Sequence, residues 1–138
     1  MRFLTIFFLT LFLNGGLFDF YTHKQINRAY KEKRYKDAIE YLKKLPASAV
    51  RNFDLGVSYY KNKEYKKALR YFKRAYGKGV DEFERLYNIG NSYFKLKEYK
   101  KAIKAYEMAL GIKRDKDAIF NLYLAKEALK KRNTPSKK

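Results

Sequence analysis

The chain has 138 residues, a length typical of a single domain. Its 33 Lys and Arg against 14 Asp and Glu give a net charge of +19, which favours nucleic acid, anionic lipid or an acidic protein as partner without establishing any of them. The absence of cysteine excludes disulfides, zinc–thiolate sites and thiol nucleophiles.

Residues 1–18 differ in composition from the rest of the chain. Arg2 precedes an apolar run from Phe3 to Leu13, and small residues follow it. This order is typical of a secretory signal peptide, and the run is short for a spanning helix, which needs about 20 apolar residues. We therefore predict either a signal peptide cleaved after Gly15 or Gly16, or an uncleaved membrane anchor. Either segment predicts an exported protein, periplasmic or anchored in the cell envelope.

Three later stretches resemble one another. Residues 29–45 read AYKEKRYKDAIEYLKKL, residues 59–75 read YYKNKEYKKALRYFKRA, and residues 93–109 read YFKLKEYKKAIKAYEMA. Three alanines align in them at spacings of 30 and 34 residues, namely Ala38, Ala68 and Ala102. A period in this range is typical of a solenoid built from helical hairpins.

Each period contains two apolar stripes at helical spacing, which predicts two short antiparallel helices. The hairpins are expected at about residues 20–45, 47–78 and 81–112. Gly56 and Gly90 are expected to allow close approach of the helices, because a glycine leaves room for a facing aromatic ring.

A closing helix is predicted at about residues 116–131, and residues 132–138 are predicted to be a flexible tail. Five residues of this helix are expected to cover the last hairpin: Ile119, Leu122, Tyr123, Ala125 and Leu129. Its lysines are expected to keep the opposite side solvated.

The repeat resembles the tetratricopeptide repeat, whose pattern is W-x2-L-G-x2-Y, then A-x3-F, then P. The second unit matches at Asn52, Leu55, Gly56, Tyr59, Ala68 and Phe72, and the third at Leu86, Ile89, Gly90, Tyr93, Ala102 and Tyr106. The first unit departs from the pattern at Ile26 and Ala29, and the closing proline is absent. The resemblance implies an all-α fold of antiparallel helical hairpins over residues 20–131, forming a right-handed solenoid with a C-terminal capping helix.

In this family the first helix of each hairpin lines a concave groove that holds a peptide or helix of a partner protein. The resemblance places eleven residues there: Asn27, Tyr30, Lys31, Phe53, Val57, Tyr60, Lys61, Tyr87, Asn91, Phe94 and Lys95. A Tyr or Phe followed by Lys recurs in every unit, which suits an acidic or aromatic peptide. The alternative is that the neighbouring hairpin buries these side chains.

Chaperone-binding members of the family hold a terminal carboxylate with two Asn and several Lys or Arg. Asn27 could serve as one of those Asn, but Asp54 and Glu84 stand where such members place an Asn and a Lys. The sequence therefore disfavours a chaperone-tail clamp. The short N-terminal segment, three hairpins and closing helix are also similar to repeat proteins of bacterial aerotolerance operons, which would imply a partner in a membrane-associated complex.

Catalysis, cofactors and metal sites are not expected, since the chain has no Gly-rich phosphate loop, no nucleophile motif and only one histidine, His23. The sequence predicts a non-catalytic protein–protein interaction adaptor or scaffold of the bacterial cell envelope. The alternative is a protein that binds nucleic acid or an anionic membrane surface through its basic face. Nucleic acid is the less favoured partner, because the positive charge is mostly evenly spread lysine rather than arginine.

Overall fold

The computed structural model describes residues 18–134, and this part of the chain consists of seven α-helices and their connections. The described part of α1 covers residues 18–31. The other helices are α2 (Tyr35–Lys44), α3 (Ala49–Lys61), α4 (Tyr65–Arg74), α5 (Glu82–Lys95), α6 (Tyr99–Ile112) and α7 (Lys116–Asn133). No strand occurs between residues 18 and 134, so the predicted all-α fold is confirmed.

The predicted signal peptide or anchor lies outside the described residues, apart from Phe18, which belongs to α1. None of the helices described over residues 18–134 combines the length and the apolar character that crossing a membrane requires.

The first two residues of the predicted flexible tail, 132 and 133, are helical, because α7 extends to Asn133. Arg132 fixes this last turn: its Nη1 donates to the Lys97 carbonyl at 3.2 Å, and its guanidinium lies 5.5 Å from the centre of the Tyr99 ring. The rest of the tail, residues 135–138, lies outside the described residues.

The chain divides into two compact units, and residues 18–46 are the described part of the first. Its helices α1 and α2 meet in a tight turn, where the Arg34 amide donates to the Ala29 carbonyl at 2.8 Å. Ala29, Ala38 and Leu42 are buried, so each helix has one apolar side that is removed from water.

Residues 47–134 are the described part of the second unit, which contains the hairpins α3/α4 and α5/α6 followed by α7. In each hairpin an aromatic ring lies directly on a glycine. A Cβ atom added at Gly56 would lie 2.6 Å from the Phe72 ring, and one at Gly90 would lie 2.5 Å from the Tyr106 ring. No larger residue fits at either glycine without a shift of the ring, which confirms the predicted close approach.

Arg85 of α5 fastens the second hairpin of this unit to the end of α4. Its guanidinium makes two hydrogen bonds to Glu82, at 2.7 and 2.6 Å, and a third to the Phe72 carbonyl at 3.3 Å. The side chain is only 11% exposed. The C-terminal carbonyls of a helix carry partial negative charge, so a cation at this place stabilises the junction.

The short turns inside the hairpins share one conformation. Lys33, Lys63 and Lys97 all have positive φ, at 56°, 62° and 60°. The amide of the residue after each of these lysines donates to a carbonyl five residues before it, as in the 2.9 Å bond from Glu98 to Tyr93. This left-handed residue ends the first helix of every hairpin and reverses the chain.

Helix α7 packs with only part of the side that was predicted: Ala125 is buried and Leu122 packs against its cluster, as expected. Ala118 and Ala125 are fully buried, whereas Ile119 is 41% and Tyr123 is 58% exposed. The predicted covering role of Ile119 and Tyr123 is therefore wrong. The physical reason is that small alanines let α7 lie close to α5 and α6, and Ala118 joins the cluster that contains Phe83, Leu86 and Ala109.

Candidate binding groove

Helices α3, α5, α6 and α7 present side chains around one cavity of about 320 Å³. Five predicted groove residues line it: Tyr60, Tyr87, Asn91, Phe94 and Lys95. Three residues that were not predicted to lie in the groove complete the lining: Tyr106, Asn121 and Leu124. We call this cavity and its lining the groove.

The remaining predicted residues are not part of this lining. Phe53 and Val57 of α3 are partly buried, and Lys61, the last residue of α3, is exposed. The Phe53 ring packs edge-on to the Phe72 ring at 5.5 Å, so Phe53 serves the hairpin core. Asn27, Tyr30 and Lys31 belong to the first unit, where Asn27 and Lys31 are exposed and Tyr30 is partly buried.

The aromatic walls of the groove are held by rings at the start of the following helices. Tyr60 lies 5.2 Å from Tyr65 at an angle of 67°, and Phe94 lies 5.5 Å from Tyr99 at an angle of 59°. These edge-to-face and tilted arrangements are favourable for aromatic pairs. Since both rings are partly buried before any ligand arrives, binding orders them less and costs less side-chain entropy.

A hydrogen-bonded cluster forms the polar side of the groove. The Tyr106 hydroxyl donates to Asn91 Oδ1 at 2.7 Å. Asn121 Nδ2 donates to Asn91 Oδ1 at 3.1 Å and to the Tyr87 hydroxyl at 2.9 Å. No group of residues 18–134 donates to the Asn121 amide oxygen, so this oxygen can accept a hydrogen bond from a ligand N–H.

Burial makes the tyrosines of the groove harder to ionise than an ordinary phenol. It raises the pKa of Tyr106, Tyr87 and Tyr60 above the usual range of a phenol, and neighbouring tyrosines add to the shift at Tyr106 and Tyr60. At Tyr87 the carboxylates of Asp117 and Asp115 also raise the pKa, whereas Asn91 and Asn121 lower it. All three hydroxyls are protonated in neutral solution, as phenols are, and can donate hydrogen bonds.

The rim of the groove carries charges of both signs. Exposed Lys95 lines the cavity and ends α5, and exposed Lys61 follows the lining residue Tyr60 and ends α3. Asp115 is the N-cap of α7, and Asp117 lies in its first turn. Asp115 caps α7 by accepting from the amides of Asp117 and Ala118, both at 3.0 Å. Lys61 and Lys95 are therefore the charges near the groove that can bind an acidic group of a ligand.

This arrangement is equipped for non-covalent binding. Its polar groups are amides, phenols and one ammonium, and residues 18–134 contain no cluster of three or more His, Asp and Glu side chains suited to a metal ion. Aromatic walls with a small number of placed polar groups are typical of sites that hold a side chain and fix its orientation.

Three lining residues were not placed in the groove from the sequence, for two different reasons. Tyr106 was expected only as hairpin packing, although its hydroxyl points to Asn91. Asn121 and Leu124 lie on α7, which was expected only to cap the repeats. The repeat period offered a signal, because Asn121 follows Tyr87 by 34 residues, the spacing that relates the second and third units.

Sequence models of the tetratricopeptide repeat match two parts of the chain, residues 83–116 and residues 52–78. No curated protein sequence matches it.

Solved tetratricopeptide repeat domains have a similar fold. The yeast Sti1 TPR2AB domain in complex with pHSP90 is 27% identical with a TM-score of 0.71, and the match covers 86% of this chain and 49% of that one. The chain therefore spans about half the length of that structure. The Sgt2 TPR domain of Aspergillus fumigatus is 20% identical with a TM-score of 0.70, covering 86% of this chain and 85% of that one.

The second TPR domain of human RPAP3, in complex with an HSP70 peptide, is 20% identical with a TM-score of 0.70, covering 80% of this chain and 97% of that one. At such identities the Sgt2 and RPAP3 likenesses concern the fold alone. The two matched repeats and the glycine–aromatic hairpins show that this chain contains tetratricopeptide repeats.

Proposed function

We propose that this chain is a non-catalytic protein–protein interaction adaptor that binds a peptide or helix of a partner protein in the groove. The observation that carries the proposal is the cavity of about 320 Å³ with aromatic walls, a polar side and Lys95 in its lining. Two structures of similar fold, of Sti1 and RPAP3, contain chaperone partners, which supports binding of a peptide in this type of fold.

The shape and chemistry of the groove suggest how such a segment is held. The cavity volume is at the small end of ligand pockets, enough for one or two side chains. An apolar or aromatic ligand side chain would lie between Tyr60 and Phe94, and a ligand N–H would donate to the Asn121 amide oxygen. An acidic ligand group would meet Lys95 and Lys61.

The chaperone ligands of the similar structures are not part of this proposal. A terminal carboxylate needs cations and amide donors, and this chain has carboxylates at Asp54 and Glu84 instead. We propose an internal segment of a partner, whose main chain carries no terminal charge.

The location in the bacterial cell envelope is part of the proposal as well, and so is a partner in a membrane-associated complex. It rests on the composition of residues 1–18, which resemble a signal peptide or an anchor. Sequencing the N-terminus of the protein isolated from its native cells tests it, because a start after Gly15 or Gly16 indicates cleavage. A protein that keeps Met1 and fractionates with soluble cytoplasm contradicts the location.

The groove is tested with two charge-reversal variants of equal net charge. Lys61→Glu with Lys95→Glu changes its rim, whereas the control, Lys66→Glu with Lys100→Glu, changes exposed lysines at the second position of α4 and α6. Each protein is isolated from native cells after cross-linking, and the partner segment is identified by mass spectrometry. We expect the rim variant to lose about nine-tenths of the cross-linked partner and the control to retain it.

Two outcomes contradict this function. If both variants lose the partner equally, net positive charge rather than the groove attracts it, as for an anionic polymer. If neither variant loses it, the partner binds elsewhere. Melting temperatures close to that of the unchanged protein are expected for both variants, since all four lysines are exposed.

A further inference from the structure

Helix α7 carries a second surface, on the side that faces away from the rest of the second unit. Ile119, Phe120 and Tyr123 are 41%, 58% and 58% exposed, although they are large apolar or aromatic residues. They lie within little more than one turn of α7 and therefore form one patch. We call these three residues the outer patch.

More positive than negative charges flank the outer patch. Exposed Lys116 precedes it by one turn, exposed Lys130 and Lys131 follow it along the same side of α7, and Glu127 is the one acidic residue between the patch and these two lysines. Lys126 is also exposed, but it pairs with Glu107 of α6 at 3.2 Å. An apolar patch flanked by cations is complementary to an apolar stripe flanked by carboxylates.

The earlier helices of this unit show what covers such a face. Helix α3 is followed by α4 and α5 by α6, and in both cases the second helix packs on the first: Phe72 lies on Gly56, and Ala109 clusters with Leu86. Helix α7 is the next helix in this series, and in the described residues no further helix follows it. Its exposed face therefore has the character of a surface that receives a helix.

We propose that the outer patch binds an amphipathic helix of a partner protein whose apolar stripe is flanked by Asp and Glu. A second copy of this chain is a poorer match, because it would bring the lysines of α7 against lysines in a chain whose net charge is +19. The complex is expected to be weak and sensitive to salt, since only three apolar side chains and exposed charges contribute.

The probe for the experiment is a fluorescein-labelled helical peptide of about 18 residues with a Leu stripe and Glu on its other faces. Binding to the full chain is followed by fluorescence anisotropy. We expect Ile119→Ser with Tyr123→Ser to weaken binding about tenfold. The matched control is Met108→Ser with Ile112→Ser, which removes equally exposed apolar residues, 51% and 54%, from α6 and should leave binding unchanged.

The groove variant Lys61→Glu with Lys95→Glu separates the two sites. Unchanged peptide binding by this variant supports the outer patch, even if the groove proposal fails. If the groove variant loses the peptide and the patch variant keeps it, the outer patch is not the binding site. Equal binding of a peptide with Lys in place of Glu also overturns the proposal, because charge complementarity would then play no part.

Three further measurements test whether a second copy of the chain, a membrane or another part of the chain occupies the patch instead. In sedimentation, the unchanged chain and the patch variant should have the same oligomeric state. Anionic vesicles should bind the patch variant as well as they bind the unchanged chain. The melting temperature of the patch variant should stay within a few degrees of the unchanged protein, as expected for solvent-exposed side chains. Patch-dependent dimers, patch-dependent vesicle binding or a large drop in melting temperature would each overturn the proposal, the last because another part of the chain would already cover the patch.

Discussion

The hairpins α3/α4 and α5/α6 share one scaffold and differ in its polarity. The Phe72 ring lies on Gly56 and the Tyr106 ring on Gly90, with nearly the same close approach. The residue after each glycine differs with the ring: Val57 accompanies Phe72, whereas Asn91 accepts a hydrogen bond from Tyr106. A single added hydroxyl and its acceptor thus turn an apolar hairpin into one that carries a polar binding surface on the same backbone.

The contact between an aromatic ring and a glycine, which both hairpins share, gives the largest expected effect on stability. Gly90→Ala places a methyl group 2.5 Å from the Tyr106 ring, which is only 1% exposed and has little room to move. We expect the free energy of unfolding to fall by about 1–3 kcal/mol, despite the better helix propensity of alanine. Gly56→Ala should cost a similar amount, because the Phe72 ring is equally close. Urea unfolding followed by circular dichroism measures both.

Gly111→Ala is the control for this prediction. Gly111 also lies in a helix, but a Cβ atom there meets nothing within 4 Å. Alanine should therefore stabilise the protein by up to about 1 kcal/mol through helix propensity alone. A loss of stability at Gly111, or equal effects at Gly90 and Gly111, would contradict the role of ring contacts.

The part that differs between the hairpins is tested by converting one into the other. Asn91→Val leaves the buried Tyr106 hydroxyl without its acceptor, which should cost about 1–3 kcal/mol. Tyr106→Phe removes the donor and should cost about 0.5–1.5 kcal/mol. The double variant recreates the Val57–Phe72 pair and should be more stable than the sum of the two single effects predicts.

Stability and binding should separate in the double variant. The hairpin keeps its apolar packing, whereas the groove loses the group that fixes Asn121, so partner capture should drop although the fold is retained. Additive single effects in a double-mutant cycle would show that Asn91 and Tyr106 do not act as a pair.

The sequence was sufficient for the scaffold because its signals are local and repeated. Gly56 with Phe72 and Gly90 with Tyr106 recur at a fixed spacing, and each pair has only one way to pack in a hairpin. The groove positions on α3 and α5 came from resemblance to a family, and five of them line the cavity.

The orientation of α7 could not be predicted in the same way. Apolar residues occur on all its sides, so helical spacing does not decide whether Ala118 or Ile119 is buried. That choice depends on the surface that α5 and α6 present, which is a long-range property of the fold. Asn121 and Leu124 were missed in the groove because α7 was expected only to cap the repeats, although the 34-residue period relates Asn121 to Tyr87.

The smallest effect concerns the first turns of α3 and α5, where Glu82 corresponds to the uncharged Ser48 of the earlier hairpin. Hydrogen bonds from Arg85 hold the pKa of Glu82 below its usual range. A carboxyl with a lowered folded-state pKa contributes stability that is complete above its unfolded pKa, about 4.3, and lost as the pH falls through the folded value. Because Glu82 is 37% exposed, solvent screening limits the contribution to about 0.5–1 kcal/mol.

Glu82→Gln should therefore destabilise the protein in urea at about pH 7 and much less at about pH 3. Glu84→Gln, which alters an exposed carboxylate in the same turn with no ion pair to Arg85, should show a smaller difference at both. If the two substitutions have the same pH dependence, the helix dipole rather than the arginine bridge accounts for the charge at this junction.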